Sequence, residues 1–221
     1  MPLAIPVPGK IIAVGLNYRD HATEGGVPVP DVPMLFGHWP NALIGPGDPI
    51  VLPDPELDDQ IDYEAELAVV IGERAKAIAP ADALGVVAGY CAFNDVSARG
   101  LQRDAGGGQQ TMGKSLDTFD PVGVMTPASE LPNPQSLRIR TLVNGRVLQD
   151  GNTSDQIFPV AEIIAYLSRT ITLEPGDLIA TGTPAGVGVL RTPPVLLRPG
   201  DEVTIDIDGI QPLTNPVVAG V

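Results

Sequence analysis

The sequence contains little cysteine, with Cys91 the single one among 221 residues. One cysteine excludes an intrachain disulfide and favours a reducing compartment, so we predict a cytoplasmic location. A lone cysteine can act as a nucleophile, but Cys91 lies in the apolar run 86–93, and burial in a core is the better interpretation. No apolar run approaches the ~20 residues that span a bilayer, so we expect no membrane partner.

Positive charge is also scarce, with 13 Lys and Arg against 27 Asp and Glu. The net charge of −14 repels phosphate backbones, so we expect no nucleic acid partner. Aromatic residues make up only 4%, whereas Gly and Pro number 25 and 24. Much Gly and Pro can indicate disorder. Here the turn residues separate regular apolar runs, and we interpret them as frequent turns in one domain.

A Pro-Gly-Asp element recurs at 46–48, 175–177 and 199–201. Pro followed by Gly fits the centre of a type II turn, because Gly accepts positive φ. Each copy precedes a predicted strand, and other apolar or alternating runs predict further strands. The predicted strands cover 10–16, 49–52, 64–71, 86–93, 137–143, 146–149, 178–181 and 202–207, with Asn144-Gly145 as a type I′ hairpin turn.

Helices are predicted to be few. Residues 160–167 carry one amphipathic face, with Pro159 at the first helical position. Short helices are predicted over 18–24, capped by Asn17, and over 96–103. The chain is therefore predicted to be a strand-dominated α+β domain. Residues 103–115, with three consecutive glycines, are expected to form a functional loop.

Carboxylates cluster at the head of one predicted strand. Glu64 and Glu66 project to the same side, with Cα atoms about 7 Å apart, and Asp62 joins them if the strand starts early enough. A bound cation would relieve their repulsion, and oxygen ligands select Mg²⁺, Mn²⁺ or Ca²⁺. The alternative is a solvent-facing strand edge. Asp95 ends another buried run, where it is either a further ligand or a helix cap.

Seven segments, taken in order, resemble the fumarylacetoacetate hydrolase (FAH) family. They are 11–24 (IIAVGLNYRDHATE), 43–53 (LIGPGDPIVLP), 62–72 (DYEAELAVVIG), 89–102 (GYCAFNDVSARGLQ), 113–123 (GKSLDTFDPVG), 143–155 and 179–188 (IATGTPAGVG). The resemblance implies a mixed, twisted β-sheet or β-roll with few short helices, and a homodimer. It implies a single catalytic domain over 1–221, without the extra N-terminal domain of some members. Residues 1–45 would form an N-terminal arm with a lid helix, and 46–221 a metal-binding β core.

The resemblance also implies a metal centre and a catalytic pair. Glu64, Glu66 and Asp95 match the family's ligands for Mg²⁺ or a similar ion, with Mn²⁺ or Ca²⁺ as alternatives. His21 and Glu24 match a pair that activates water from a lid helix. Their spacing of three places them on one helix face, where Glu24 can orient the imidazole and raise its basicity. The alternative is an exposed helical pair.

Four further residues match the family's substrate site. Lys114, in a Gly-Lys-Ser segment, would supply a positive charge near a developing oxyanion, the alternative being an exposed lysine. Arg99, Gln102 and Thr183 match positions that line the pocket. We interpret the glycine-rich run 181–188 as a loop that binds a substrate carboxylate through backbone N–H groups and the Thr183 hydroxyl, or else as a plain turn.

One position departs from the family pattern. His38 stands where many members have lysine, and it is shorter and mostly neutral near pH 7. With Trp39 it either shapes specificity or is a packed loop residue, and the sequence does not separate these alternatives.

The expected activity is metal-dependent hydrolysis of a C–C bond in an acylpyruvate- or fumarylpyruvate-type 2-oxo acid. The alternatives are oxaloacetate-type decarboxylation and isomerisation of a 2-hydroxyhepta-2,4-diene-1,7-dioate-type diacid from aromatic catabolism. The ion would act as a Lewis acid in all three. The His21–Glu24 pair favours hydrolysis. A protein that binds metal or ligand without turnover is a further hypothesis, against which the intact set of site residues argues.

Overall fold

A computed structural model describes residues 5–104 and 108–220 of the chain. Two of the three consecutive glycines in the predicted functional loop, Gly106 and Gly107, lie outside the described residues. The strands are β1 Ile11–Gly15, β2 Met34–His38, β3 Leu43–Ile44, β4 Ile50–Leu52, β5 Ile61–Asp62, β6 Ala65–Ile71, β7 Val87–Asn94, β8 Ser97–Ala98, β9 Asp120–Pro121, β10 Thr126–Pro127, β11 Arg138–Val143, β12 Arg146–Asn152, β13 Leu178–Ala180, β14 Glu202–Ile207 and β15 Leu213–Ala219. The α-helices are α1 Arg19–Glu24, α2 Arg99–Arg103, α3 Gln110–Lys114 and α4 Val160–Thr170.

Two larger sheets organise these strands. The first has the order β10-β7-β6-β13-β1-β2, in which β1 and β13 are parallel and the other pairs antiparallel. The second has the order β12-β11-β14-β15-β4, with β15 and β4 parallel. Two short pairs, β3-β9 and β5-β8, complete the described sheets. The strand-dominated α+β prediction is confirmed. β1 and β2 belong to the predicted N-terminal arm, yet both are strands of the first sheet. Part of the arm therefore forms part of the β core.

The hydrophobic core follows from the apolar patterns of the sequence. All seven residues of β6 are buried, and β14 buries Val203, Ile205 and Ile207 while its intervening residues stay partly exposed. Helix α4 buries its apolar face and packs against a 3-10 helix over Pro80–Val86. Cys91 is buried, as predicted, and burial raises the pKa of its thiol to about 12. None of the described helices is long and apolar enough to cross a membrane.

The repeated Pro-Gly-Asp turns have a common construction. Gly47, Gly176 and Gly200 have φ values of 79°, 90° and 96°, as a type II turn requires. In each turn the aspartate accepts a hydrogen bond from the backbone N–H three residues earlier, at 2.7–3.0 Å. Asn144 and Gly145 also have positive φ, 51° and 76°, between the antiparallel strands β11 and β12. The predicted I′ hairpin is therefore confirmed.

Several predicted helix ends were wrong. Asn17 does not cap α1; its side chain instead bonds the backbone of Phe158 and Thr181. Pro159 is the N-cap of α4 rather than its first residue. The helix predicted over 96–103 begins at Arg99, because the two preceding residues pair with β5.

The predicted functional loop 103–115 contains the helix α3. Gly113 lets α3 approach α2 closely, since a Cβ added there would lie 2.6 Å from the Cβ of Gln102. This close contact positions the next residue, Lys114, which is buried.

Candidate active site and metal centre

Antiparallel pairing of β6 and β7 brings three carboxylates together. Ala65 pairs with Asn94, and the Asp95 N–H donates to the Glu64 carbonyl at 2.9 Å. Glu64, directly before β6, and Glu66, the second residue of β6, therefore meet Asp95, directly after β7. One oxygen from each of the three lies within 4.8 Å of the others, and all three side chains are buried. The alternatives of a solvent-facing strand edge and a helix cap are wrong.

Lys114 lies inside this cluster rather than on the surface. Its Nζ donates to Glu64 Oε2 at 2.6 Å and lies 2.8 Å from Asp95 Oδ2. Burial alone would lower the pKa of Lys114, but the Asp95 and Glu64 carboxylates outweigh it and the pKa is raised. Lys114 therefore stays charged, and the alternative of an exposed lysine is wrong.

Arg99 joins the cluster from the start of α2. Its Nη2 lies 2.7 Å from Glu64 Oε1, and its Nε and Nη2 donate to Asp62 Oδ2 at 2.9 and 2.7 Å. Its Nη1 donates to Gln102 Oε1 at 2.9 Å. Arg99 was expected to line the substrate pocket, but these protein groups occupy its guanidinium. Burial would raise the pKa of Glu64, but Lys114 and Arg99 outweigh it and lower that pKa to about 2.

The cluster of Glu64, Glu66 and Asp95 pairs with two cations of the protein, Lys114 and Arg99. Burial, together with Asp95 and Glu64, raises the pKa of Glu66 well above its usual value. Asp95 Oδ2 has the Lys114 ammonium at 2.8 Å, whereas Oδ1 is buried without a partner among the described residues. A buried carboxylate oxygen without a partner is costly, and a hard divalent cation is the ligand that suits an all-oxygen set. The three residues therefore fit Mg²⁺ or Mn²⁺.

Asp62 does not extend this ligand set. It belongs to the separate short strand β5 and pairs with Arg99. It also accepts hydrogen bonds from the backbone N–H groups of Gly188 and Val189, at 2.7 and 3.0 Å. Asp62 thus fixes Arg99 and one end of the glycine-rich loop, a role that sequence reasoning missed.

His21 and Glu24 lie together on α1, as the resemblance implied. His21 Nδ1 is 3.3 Å from Glu24 Oε2, and both Glu24 oxygens accept the Gly186 N–H at 3.0 Å. Asp20 Oδ1 accepts the Ala185 N–H at 3.2 Å. The helix is thus held against the glycine-rich loop by two of its own carboxylates.

The glycine-rich run 181–188 was expected to bind a substrate carboxylate through backbone N–H groups and the Thr183 hydroxyl. Four of its N–H groups instead bind carboxylates of the protein. Gly182 donates to Glu66 at 2.7 Å, and Ala185, Gly186 and Gly188 donate to Asp20, Glu24 and Asp62. The Thr183 hydroxyl accepts from Gln149 Nε2 at 2.8 Å. Gln149 also accepts the Ala65 N–H and so joins the loop to β6. The loop thus fixes the positions of acidic side chains around the site.

A cavity of about 140 Å³ joins most of the predicted site residues. Those that line it are His21, Glu64, Glu66, Gln102, Lys114 and Thr183. Its other walls include the apolar side chains of Leu16, Met34 and Phe36, and the amide of Gln110, none of which sequence reasoning had identified. A larger cavity of about 320 Å³, between 52–61 and 197–199, is lined by none of the predicted site residues.

His38 ends β2 and is buried beside the cluster. Its Nδ1 lies 2.8 Å from Asp120 Oδ1 and its Nε2 lies 3.7 Å from Asp95 Oδ2. Burial alone would lower the pKa of His38, but Asp120 and Asp95 outweigh it, so the pKa is raised. His38 is therefore a packed strand residue rather than a loop residue, and it does not line the cavity.

Comparisons with known proteins agree with the fold. The family model for the fumarylacetoacetate (FAA) hydrolase C-terminal domain matches residues 10–218. The mitochondrial oxaloacetate tautomerase FAHD2A of Bos taurus is 46% identical over 212 residues, which cover 96% of this chain and 67% of the relative. The chain therefore spans about two thirds of that relative's length.

Solved structures show the same similarity. The 5-carboxymethyl-2-hydroxymuconate delta-isomerase of Mycobacterium smegmatis is 41% identical, with a TM-score of 0.86 over 99% of this chain and 82% of its own. The maleylpyruvate hydrolase of Sphingobium sp. SYK-6, in complex with manganese(II) and pyruvate, is 36% identical, with a TM-score of 0.80 over 98% of this chain and 72% of its own. On the family match and these relatives, the chain belongs to the fumarylacetoacetate hydrolase family.

Proposed function

We propose that this protein is a divalent-metal-dependent enzyme that hydrolyses a C–C bond in an acylpyruvate-type 2-oxo acid. The observation that carries the proposal is the cavity in which His21 faces Glu64, Glu66 and Lys114. The cavity combines a general base, a metal-ligand set and a buried cation, which are the functional groups that this hydrolysis requires.

The metal ligands in this proposal are Glu64, Glu66 and Asp95, and the ion is Mg²⁺ or Mn²⁺. The unpartnered Oδ1 of Asp95 and the raised pKa of Glu66 support this choice of residues. The manganese(II) and pyruvate complex of the related maleylpyruvate hydrolase supports the metal and the 2-oxo acid. When bound, a divalent ion supplies Lewis-acid stabilisation of negative charge on the 2-oxo acid.

His21 is the proposed general base. Its Nδ1 faces the Glu24 carboxylate, which accepts a hydrogen bond, so Nδ1 carries the proton. Nε2 is then left with its lone pair and takes a proton from the attacking water. Glu24 is itself fixed by the Gly186 N–H, so the pair has a defined orientation over the cavity.

Lys114 and the cavity walls account for binding. The Lys114 ammonium is a fixed positive charge beside the carboxylates, and it stabilises an oxyanion that develops near them. The small volume of about 140 Å³ fits a pyruvate unit with a short acyl group. Apolar Met34 and Phe36 line the cavity together with the amides of Gln102 and Gln110, and they would contact that acyl group.

A second candidate is keto–enol tautomerisation of oxaloacetate. The name of the Bos taurus relative, at 46% identity, favours it. Tautomerisation needs no attacking water, since His21 only has to remove a proton from one atom and return it to another. Isomerisation of a hydroxymuconate-type diacid uses the same proton transfer and is favoured by the Mycobacterium smegmatis relative. Decarboxylation of oxaloacetate remains the alternative that needs metal but no water.

Proton NMR of acetylpyruvate and of oxaloacetate tests the proposal, with Mn²⁺ or Mg²⁺ in one series and EDTA in another. We expect metal-dependent formation of pyruvate and acetate from acetylpyruvate. Stable acetylpyruvate, together with faster oxaloacetate enol–keto exchange or pyruvate formation, would replace hydrolysis by tautomerase or decarboxylase activity. Metal binding without turnover of any 2-oxo acid in a panel would contradict an enzymatic role.

A further inference from the structure

His38 is locked in position behind the proposed metal centre. The residue is 4% exposed, and its ring stacks on Phe36 with centroids 5.5 Å apart and an interplanar angle of 25°. Phe93 packs against it at 6.3 Å. Flanked by two aromatic rings, the imidazole has little freedom to rotate.

Asp120 fixes which ring nitrogen faces the metal centre. Asp120 lies in β9 and is fully buried, and its Oδ1 accepts a hydrogen bond from His38 Nδ1 at 2.8 Å. This contact directs the opposite nitrogen, Nε2, toward Asp95, 3.7 Å from Oδ2.

The His38 nitrogen that faces Asp95 lacks a hydrogen bond. Nε2 is buried without a partner among the described residues, and Asp95 has an ion pair with Lys114 through Oδ2 while its Oδ1 has no partner. Buried polar atoms are nearly always satisfied, so their juxtaposition indicates an interaction that a small movement of either side chain completes. Carboxylates flank both ring nitrogens, so an imidazole with a hydrogen on each nitrogen donates one bond to Asp120 and, after that movement, one to Asp95.

We propose that His38 is a positioning residue that orients the Asp95 carboxylate for metal binding, with Asp120 holding the imidazole from behind. The inference rests on the proposed function, because it requires that Asp95 bind the ion. Hydrogen bonds to ligating carboxylates fix their orientation, and loss of such a partner typically weakens metal binding by about 10–100-fold. His38 thereby acts on the metal without lining the cavity.

A second cation held by His38, Asp95 and Asp120 is the competing interpretation. One ligand atom from each of these three residues also lies within 4.8 Å of the others. We disfavour it because His38 Nδ1 and Asp120 Oδ1 are 2.8 Å apart and already joined by a hydrogen bond. Two Mn²⁺ ions bound per chain would establish that interpretation and overturn ours.

Two substitutions distinguish the role of Nδ1 from the role of Nε2. In His38→Asn the side-chain amide nitrogen takes the place of Nδ1, so the bond to Asp120 is kept and the reach to Asp95 is lost. In His38→Gln the amide nitrogen takes the place of Nε2, so the reach to Asp95 is kept. The readouts are the Mn²⁺ dissociation constant and stoichiometry, from the EPR signal of free Mn²⁺, and the melting temperature in EDTA.

We expect His38→Asn to bind one Mn²⁺ about 10–100-fold more weakly than wild type, and His38→Gln to recover most of that affinity. Unchanged affinity in a folded His38→Asn would overturn the inference. Equal loss in both variants, in proportion to a lower melting temperature, would also overturn it, because a packing role alone predicts that pattern.

Asp120→Ala provides an independent test if His38→Asn does not fold. It frees Nδ1 without touching Asp95, so we expect weaker Mn²⁺ binding, and unchanged binding would overturn the inference. Failure of the proposed function is distinguishable, because wild type would then either bind no Mn²⁺ or bind it without turnover of a 2-oxo acid, whereas this inference concerns only the difference in Mn²⁺ affinity between wild type and the variants.

Discussion

Replacing Glu66 by glutamine tests the electrostatics of the metal centre. Glutamine has the same shape, and its amide oxygen can accept the Gly182 N–H that Glu66 Oε2 now accepts at 2.7 Å. The substitution therefore removes one negative charge and leaves the local hydrogen bond. Glu66 is the informative choice because burial, with Asp95 and Glu64, raises its pKa well above the usual value.

The raised pKa gives the sign of the effect in metal-free protein. Above the ordinary glutamate pKa of about 4.3 the unfolded chain loses this proton while the folded protein keeps it. Raising the pH therefore favours the unfolded state, and the contribution of Glu66 to the free energy of unfolding falls. The fall is about 1.4 kcal/mol per pH unit until the pH passes the folded-state pKa. Glu66→Gln lacks this slope.

Bound metal reverses the comparison of stability between wild type and Glu66→Gln. An ion at the site needs the ionised carboxylate, so binding releases the Glu66 proton and Mn²⁺ affinity rises with pH. At free Mn²⁺ of about 100 times the dissociation constant, the wild type gains about 2.7 kcal/mol in the free energy of unfolding. Glu66→Gln should gain much less, because it has lost a charged ligand.

The assay is urea unfolding followed by circular dichroism from pH 5 to 8, in EDTA and in Mn²⁺. Glu202→Gln is the matched control, since it removes an exposed carboxylate on β14 with the same change in net charge. The difference between the wild-type and Glu66→Gln curves isolates this one carboxyl from other titrating groups. Parallel curves in EDTA, or an equal gain from Mn²⁺ in both proteins, would refute the reasoning.

Four further substitutions give separate expectations. His21→Ala should keep the Mn²⁺ dissociation constant but lower turnover by about 10²–10⁴-fold, because it removes the base without touching the ligands; unchanged kcat would contradict the His21–Glu24 role. Gly113→Ala should lower kcat, because the added Cβ would lie 2.6 Å from Gln102 and displace the neighbouring Lys114. The fractional loss of kcat should exceed the fractional loss in the free energy of unfolding. A pH–rate profile and a kcat identical to wild type would count against this role of Gly113. Asn17→Ala should cost about 1–3 kcal/mol in urea unfolding, because buried partners on Phe158 and Thr181 lose their hydrogen bonds, and a cost near zero would show that solvent replaces them. Ile163→Ala, in the fully buried face of α4, should cost about 2–5 kcal/mol without altering the Mn²⁺ dissociation constant of the folded fraction, and a changed constant would show that the core and the site are coupled.

The sequence predicted features that depend on neighbouring residues. Alternation over 202–207 matched β14 at both ends, and the glycines of the Pro-Gly-Asp turns all have positive φ. The pairing of Glu64 with Glu66 followed from the two-residue period of a strand. Helix ends were less predictable, because Asn17 bonds residues more than 140 positions away instead of capping α1.

The site depends on contacts distant in sequence, and these were only partly predictable. Nothing near His38 in sequence shows that it bonds Asp120, which lies 82 residues away. The glycine-rich loop resembled a ligand-binding loop because the sequence alone shows no partners for its backbone N–H groups. In the fold four of them donate to acidic side chains from α1, β5 and β6, so those four N–H groups are not free for a substrate. The family resemblance identified six residues that line the cavity, but not the apolar residues beside them or the protein groups that already bind some of the expected site residues.

The most direct test of the account is turnover of acetylpyruvate, and in parallel of oxaloacetate, as a function of Mn²⁺ concentration, with bound Mn²⁺ measured in the same samples. The account predicts that kcat rises in proportion to one bound ion per chain and disappears when EDTA removes it. Full turnover in EDTA, or saturation of the site by Mn²⁺ without turnover of either 2-oxo acid, would contradict it.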